Sequence, residues 1–239
     1  MSNHQIVNFA DHAHLRVHAG AGSRFGDNVM ACLTVPAEFR QVQGHFPIVF
    51  HRDLTTGTFN ALALFGFENG ENLFLDGDTW DAPYRPLALA IQPFLVGRGA
   101  SDNATAQVHI DMTSPRISVD GGGTLLFDDA GQPTPYLEII AEKLGDLDYA
   151  YRAAPAFFAA LERYELLEPF TMDVTMVDGA RHSLVGYHAI NEDRLAQLDG
   201  DALAALHSEG HLQPLFMAVA SMSRLGDLVA RKNLRVSRV

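Results

Sequence analysis

Two apolar runs, FPIVF at 46–50 and FNALALFGF at 59–67, bracket the stretch Asp53-Leu54-Thr55-Thr56-Gly57. Runs that stay apolar without alternating belong to strands buried on both faces. A short, Gly-containing connection makes two such strands antiparallel neighbours. A chain holding this hairpin must cover it on both sides, so the remaining elements are cover. The supply is sufficient, since hydrophobic residues make up 47% of the 239 positions.

The other strand signals are shorter. Residues 6–9 and 15–17 are candidate strands, and 30–35 is a firmer one, followed by Pro36, which suits the first turn of a short helix. Residues 72–75 read as a strand, 76–85 as a loop and 86–92 as a helix. Residues 97–103 form a polar loop. Residues 107–111 alternate, with Val108 and Ile110 on one face and His109 and Asp111 on the other. Gly121-Gly122-Gly123 is a turn before a strand at TLLF.

Helical spacing dominates later. Tyr136, Ile140, Leu144 and Leu147 repeat with the helical period from Pro135 onward. Pro155 reads as the first turn of a separate helix carrying Phe157, Phe158 and Leu161. Residues 170–177 and 182–188 form a hairpin around Asp178-Gly179, the two-residue turn signal. Asn191 and Asp201 are candidate N-caps. A last helix from 212 to 231 carries a stripe of Leu215, Phe216, Val219 and Met222, expected in the core. Strands first and helices later give an α+β fold, with a strand-rich N-terminal half and a helix-rich C-terminal half around a mixed or antiparallel sheet. The expectation is one domain over 1–239, with flexible ends at about 1–5 and 233–239.

The charge restricts the partners. With 29 acidic and 17 basic residues the formal charge is −12, which argues against general nucleic-acid binding. No apolar run is long enough to span a bilayer. The polar start MSNHQIVNFADHAHLRV lacks a signal-peptide apolar region, and one cysteine, Cys32, allows no internal disulfide. A cytoplasmic location is the expectation.

Read together, VPAEF, FPIVF, ALALFGFENGENLFLD, WDAPYRP and QPF follow one another in a fixed order. With the later run NEDRLAQLDGDALAALHSEGHLQPLFMAVASM, they make the chain resemble the SapC family from about Ala31 to Asn233. The resemblance implies a bacterial protein whose relatives take their name from surface-layer loci. Family members occur near genes for outer-membrane receptors and flavin-dependent halogenases. It brings no catalytic residues with it. The implied role is a binding or accessory protein of a surface-uptake or modification system, recognising a peptide or protein partner.

Two constellations carry chemistry on their own. Asp76, Asp78 and Asp81 surround Trp80, the only tryptophan, with Tyr84 close behind. Acidic groups beside large aromatic rings suit a binding surface. The segment breaks both helix and strand rules at Gly77, Pro83, Pro86 and Pro93. The second is His109-x-Asp111. On a strand both side chains share a face, as in two-His-one-carboxylate iron sites, with His182 or His188 as third ligand. Under this alternative the protein is an Fe(II)/2-oxoglutarate-type oxygenase, and Arg194 pairs with the co-substrate carboxylate. No P-loop, nucleophile elbow or H-E-x-x-H motif is present.

Overall fold

A computed structural model describes residues 3–97 and 106–237. In chain order the elements begin with β1 (His4–Ile6), α1 (Phe9–His12), β2 (Arg16–Val17) and β3 (Ala31–Thr34). A tight 3-10 turn at Pro36–Glu38 leads into α2 (Phe39–Val42), then β4 (Ile48–Arg52) and β5 (Phe59–Leu64). The short strands β6 (Leu75–Asp76) and β7 (Thr79–Trp80) precede α3 (Leu87–Ala90), β8 (Phe94–Gly97), β9 (Gln107–Asp111) and β10 (Thr124–Leu125). The rest is α4 (Pro135–Arg163), β11 (Leu167–Thr175), β12 (Arg181–Ile190), α5 (Glu192–Ala196), α6 (Gly200–Ser208), α7 (Leu212–Ser221) and α8 (Arg224–Val236). The fold is α+β. The polar loop expected at 97–103 lies, beyond Gly97, outside the described residues.

The backbone divides into two compact units. The first comprises Met1–Asp27, Leu75–Trp80 and Leu87–Tyr149. Its sheet runs β1-β9-β8, all antiparallel, and β6 pairs with β7 as a small hairpin. Its polar centre is Arg116, only 1% exposed, whose guanidinium grips both Asp27 oxygens at 2.6 and 2.7 Å. The same group donates to the carbonyls of His18 and Gly20, so a fully buried charge is paired and hydrogen-bonded.

The second unit comprises Asn28–Phe74, Asp81–Pro86 and Ala150–Val239. Its antiparallel sheet has the order β11-β12-β4-β5-β3. The expected central hairpin forms as β4 and β5, with Phe50 opposite Ala61. Ala61 also opposes Thr34 of β3, so Phe50, Ala61 and Thr34 share one face. The second half of α4 covers that face, with Phe158 edge-on to Phe50 and Phe157 edge-on to Phe39. At the start of β4 the Ile48 N–H donates to the buried Ser221 hydroxyl of α7 at 2.9 Å.

Six expectations change. The strand expected at 6–9 ends at Ile6 and gives way to α1, and the loop expected at 76–85 contains the β6–β7 hairpin. Residues 135–163 form one continuous helix of 29 residues, with Pro155 inside it rather than at a start. Burial of the apolar face outweighs the lost backbone bond there. The hairpin turn holds three residues, not two. Gly179 alone is left-handed at φ 86°, Met176 N–H bonds the Ala180 carbonyl, and Thr175 faces Arg181. The α6 cap is Asp199, which accepts from Ala202 N–H, and not Asp201. The last helix is two helices, and Phe216 is 50% exposed while Leu215 is fully buried. The buried face of α7 runs through Leu215, Ala218 and Ser221, which leaves Phe216 at its margin.

Candidate functional site

The segment VPAEF ends a strand and turns. Val35 closes β3, Pro36 presets the 3-10 turn, and Glu38 is thereby directed inward to 3% exposure. Both its carboxylate oxygens accept hydroxyl protons. Thr34 Oγ1 donates at 2.8 Å and Tyr84 Oη at 2.6 Å. Tyr84 belongs to WDAPYRP, so two segments that carry the family resemblance meet at one buried carboxylate. Burial first, then the bond to Glu38, pushes the Tyr84 hydroxyl well above its ordinary range. Burial, then the Glu38 charge, pushes the Cys32 thiol well up, which keeps it protonated and unreactive.

Beside this cluster lies a cleft of about 360 Å³. Thr34 and Val35 form one end, the β4–β5 loop and the start of β5 one side, and α4 the other. The α4 residues are Tyr151, Ala154, Pro155, Phe158, Ala159 and Glu162, one helical stripe by spacing. Tyr151 is pushed up to about 12, by burial first and then by Cys32 and Glu38. The size suits one side chain or small ligand. Its chemistry is that of apolar and aromatic walls with a few oxygen acceptors, without an activated nucleophile. Sequence reasoning missed Glu38 and the cleft. The available signal was a Glu four residues after a strand Thr, at a Pro-initiated turn.

The residues singled out in sequence have other engagements. Asp78 pairs with Arg24 at 3.2 Å in the first unit, where Asp76 is also exposed. Asp81 pairs with Arg231 at 2.7 Å in the second, and Arg231 lies over the Phe74 ring at 4.3 Å. Asp78 and Asp81 thus each have an arginine of their own. Trp80 is half-buried on β7. Asp81 also lines a second cleft with Arg224 and Arg231 of α8.

The metal candidates are placed differently from expectation. His109 and Asp111 lie on β9 in the first unit, His182 and His188 on β12 in the second. Among the described residues no group of three or more His, Cys, Asp or Glu is arranged to hold a metal. Asp111 caps a turn instead. It accepts from the Thr113 hydroxyl and N–H, which lower its pKa in that order. The imidazole of His109 occupies the space over Gly97 where a Cβ would sit. The three-residue turn sets His182 opposite Val174 rather than Thr175, which turns it to the other face. There it is 7% exposed and meets Glu68 at 2.9 Å. His188 packs edge-on against Phe59, and burial first, then Arg52 and His51, lowers its pKa. Arg194 donates to the Tyr164 carbonyl at the end of α4.

A model of the SapC family matches residues 7–228. The chain belongs to the SapC family. No curated protein and no solved structure matches it. The SapC match runs from α1 to the start of α8, and takes in Glu38, Tyr84 and every residue lining the cleft. Among the described residues, no helix of this SapC protein is long and apolar enough to cross a membrane.

Proposed function

We propose that this protein is a binding or accessory protein of a bacterial surface-uptake or modification system, and that it recognises a peptide or protein partner. The cleft between α4 and the β3–β5 edge receives a side chain of that partner. The observation that carries this reading is the position of the cleft at the end of an edge strand. β3 is terminal in the sheet order, Leu33 on it is 41% exposed, and Thr34 and Val35 at its end form the cleft wall. An extended peptide added along such an edge bonds through its backbone and drops side chains into adjoining pockets. The five residues Asp76, Asp78, Trp80, Asp81 and Tyr84 then divide by role. Tyr84 fixes the buried carboxylate behind the cleft, the exposed Asp76 and Asp78 with Trp80 form a contact surface of the first unit, and Asp81 is an exposed contact of the second.

The test is selection of displayed random peptides against the full chain, with Ala159→Trp as the blocked variant. Ala159 is exposed, so the larger ring fills the cleft without disturbing the core. Peptides that bind the unmodified chain and lose binding to Ala159→Trp are the expected result. Binders insensitive to the substitution would overturn the assignment of the cleft.

A further inference from the structure

We propose that the cleft is selective for a basic side chain, an arginine or lysine of the partner. The inference rests on the reading of the cleft as a binding site and adds the chemistry of what enters it.

The argument is a count of protons and lone pairs on the cleft wall. Thr34 donates its one hydroxyl proton to Glu38, so only its lone pairs remain to face the cleft. One of the Thr56 and Thr58 hydroxyls donates to the other across 2.7 Å, which uses one of their two protons and leaves the other as a donor. Pro155 has no N–H, so the Tyr151 carbonyl lacks the donor that the residue four positions on supplies elsewhere in a helix. Glu162 is the charged residue of the lining, and it is an acceptor when ionised. The donors on the wall are the Asn60 amide, the Tyr151 hydroxyl and the one hydroxyl left over on the Thr56–Thr58 pair, and the Asn60 amide oxygen is a further acceptor. Acceptors therefore prevail, and the group that satisfies them is a donor-rich cation. Ammonium and guanidinium groups carry three and five donors and no acceptor.

The electrostatics agree. The buried carboxylate of Glu38 lies one side chain behind Thr34, and Glu162 is an exposed residue of the lining. Arg163, next in sequence, is turned away to Glu209 at 3.0 Å. Arg52, beside the cleft, donates to the Gly57 carbonyl and rests over the Phe59 ring at 5.6 Å. Its charge opposes a second cation on that side, so the basic group is placed on the Glu162 side of the cleft. Phe158 and Tyr151 are the other aromatic residues of the lining. The apolar lining accommodates the methylene stem of either basic residue.

Three capped amino acids serve as probes against the full, isotope-labelled chain: N-acetyl-arginine amide, N-acetyl-norleucine amide and N-acetyl-glutamate amide. Amide shifts are followed by NMR titration. The arginine probe is expected to perturb 34–35, 56–61 and 151–162 and to bind about tenfold tighter than norleucine. Two variants separate charge from shape. Glu162→Gln should weaken the arginine probe about threefold and leave norleucine unchanged, and added salt should reproduce the loss. Pro155→Ala restores a donor to the Tyr151 carbonyl. It should also weaken the arginine probe about threefold while raising the denaturation midpoint, an opposition that a purely structural role for Pro155 does not produce. Norleucine or glutamate binding the cleft as tightly as arginine overturns the basic selectivity and leaves the cleft as a binding site. Perturbations that fall elsewhere, or no binding by any probe, overturn both.

Discussion

Removing the hydroxyl of Tyr84 tests whether the Glu38 cluster holds the fold together. Tyr84→Phe keeps the ring and deletes one donor, 2.6 Å from a carboxylate that is 3% exposed. Hydrogen bonds to a charged group contribute about 1.5–3 kcal/mol, and here the acceptor stays buried when its donor is gone. A loss of about 2 kcal/mol follows, which for a chain of this size lowers Tm by roughly 4–8 °C. Urea unfolding should show the midpoint falling at constant slope. The charge is isolated by repeating Tyr84→Phe in a Glu38→Gln background, where its cost should drop below about 1 kcal/mol. The pH dependence has a definite sign. The hydroxyl's pKa is raised in the fold, so its stabilisation is complete below the unfolded value of about 10 and is lost as pH rises beyond it. The gap between the two proteins should therefore narrow in alkali. A cost under about 0.5 kcal/mol, or an equal cost in both backgrounds, would refute the reasoning.

Other outcomes follow from the same structure. Stability should fall between about pH 10 and the value of about 12 to which Tyr151 is raised, and Tyr151→Phe should flatten that part of the profile measured by urea unfolding. Arg116→Met leaves Asp27 buried without its cation and should cost about 3–5 kcal/mol in the same assay. Phe216→Ala should cost well under the roughly 3–5 kcal/mol of a buried phenylalanine, because half its surface stays in water. Asp78→Asn and Asp81→Asn should leave the melting temperature nearly unchanged, since both carboxylates are more than half exposed, and should weaken binding of a partner selected against the chain. One unfolding transition by fluorescence and circular dichroism is expected, because α4 is a single helix with residues in both contact units; two separated transitions would show two domains.

Much of the fold was legible because periodicity and turn chemistry are local. The β4–β5 pair and the strand Gln107–Asp111 stand in the pattern of apolar residues alone. The misreadings came where tertiary packing overrode a local rule. Pro155 carries a helix-breaking signal, yet Ala154, Phe157, Ala160 and Leu161 around it are buried and hold the helix straight through. The hairpin at Asp178-Gly179 was visible, but one extra turn residue reversed the faces of β12 and took His182 out of the company it was expected to keep. The carboxylate of Glu38 was not legible at all. A lone Glu after Pro looks like an exposed first-turn residue, and its burial depends on a partner 46 positions away. Tyr84 stood out for its ring, whereas its hydroxyl bond needed the folded chain.

The order of the sheet also dictates when this protein can fold during its synthesis. Its central strand β4 finds β5 at once, but its other neighbour, β12, is the strand that sets Tyr187 against His51 and His188 against Phe50. More than half of the chain separates those partners. A nascent chain therefore carries an apolar hairpin with one edge unpaired until β12 is made, the state in which strand edges recruit other strands. β12 must leave the ribosome before that edge closes, and until then the demand for shielding by chaperones falls on β4.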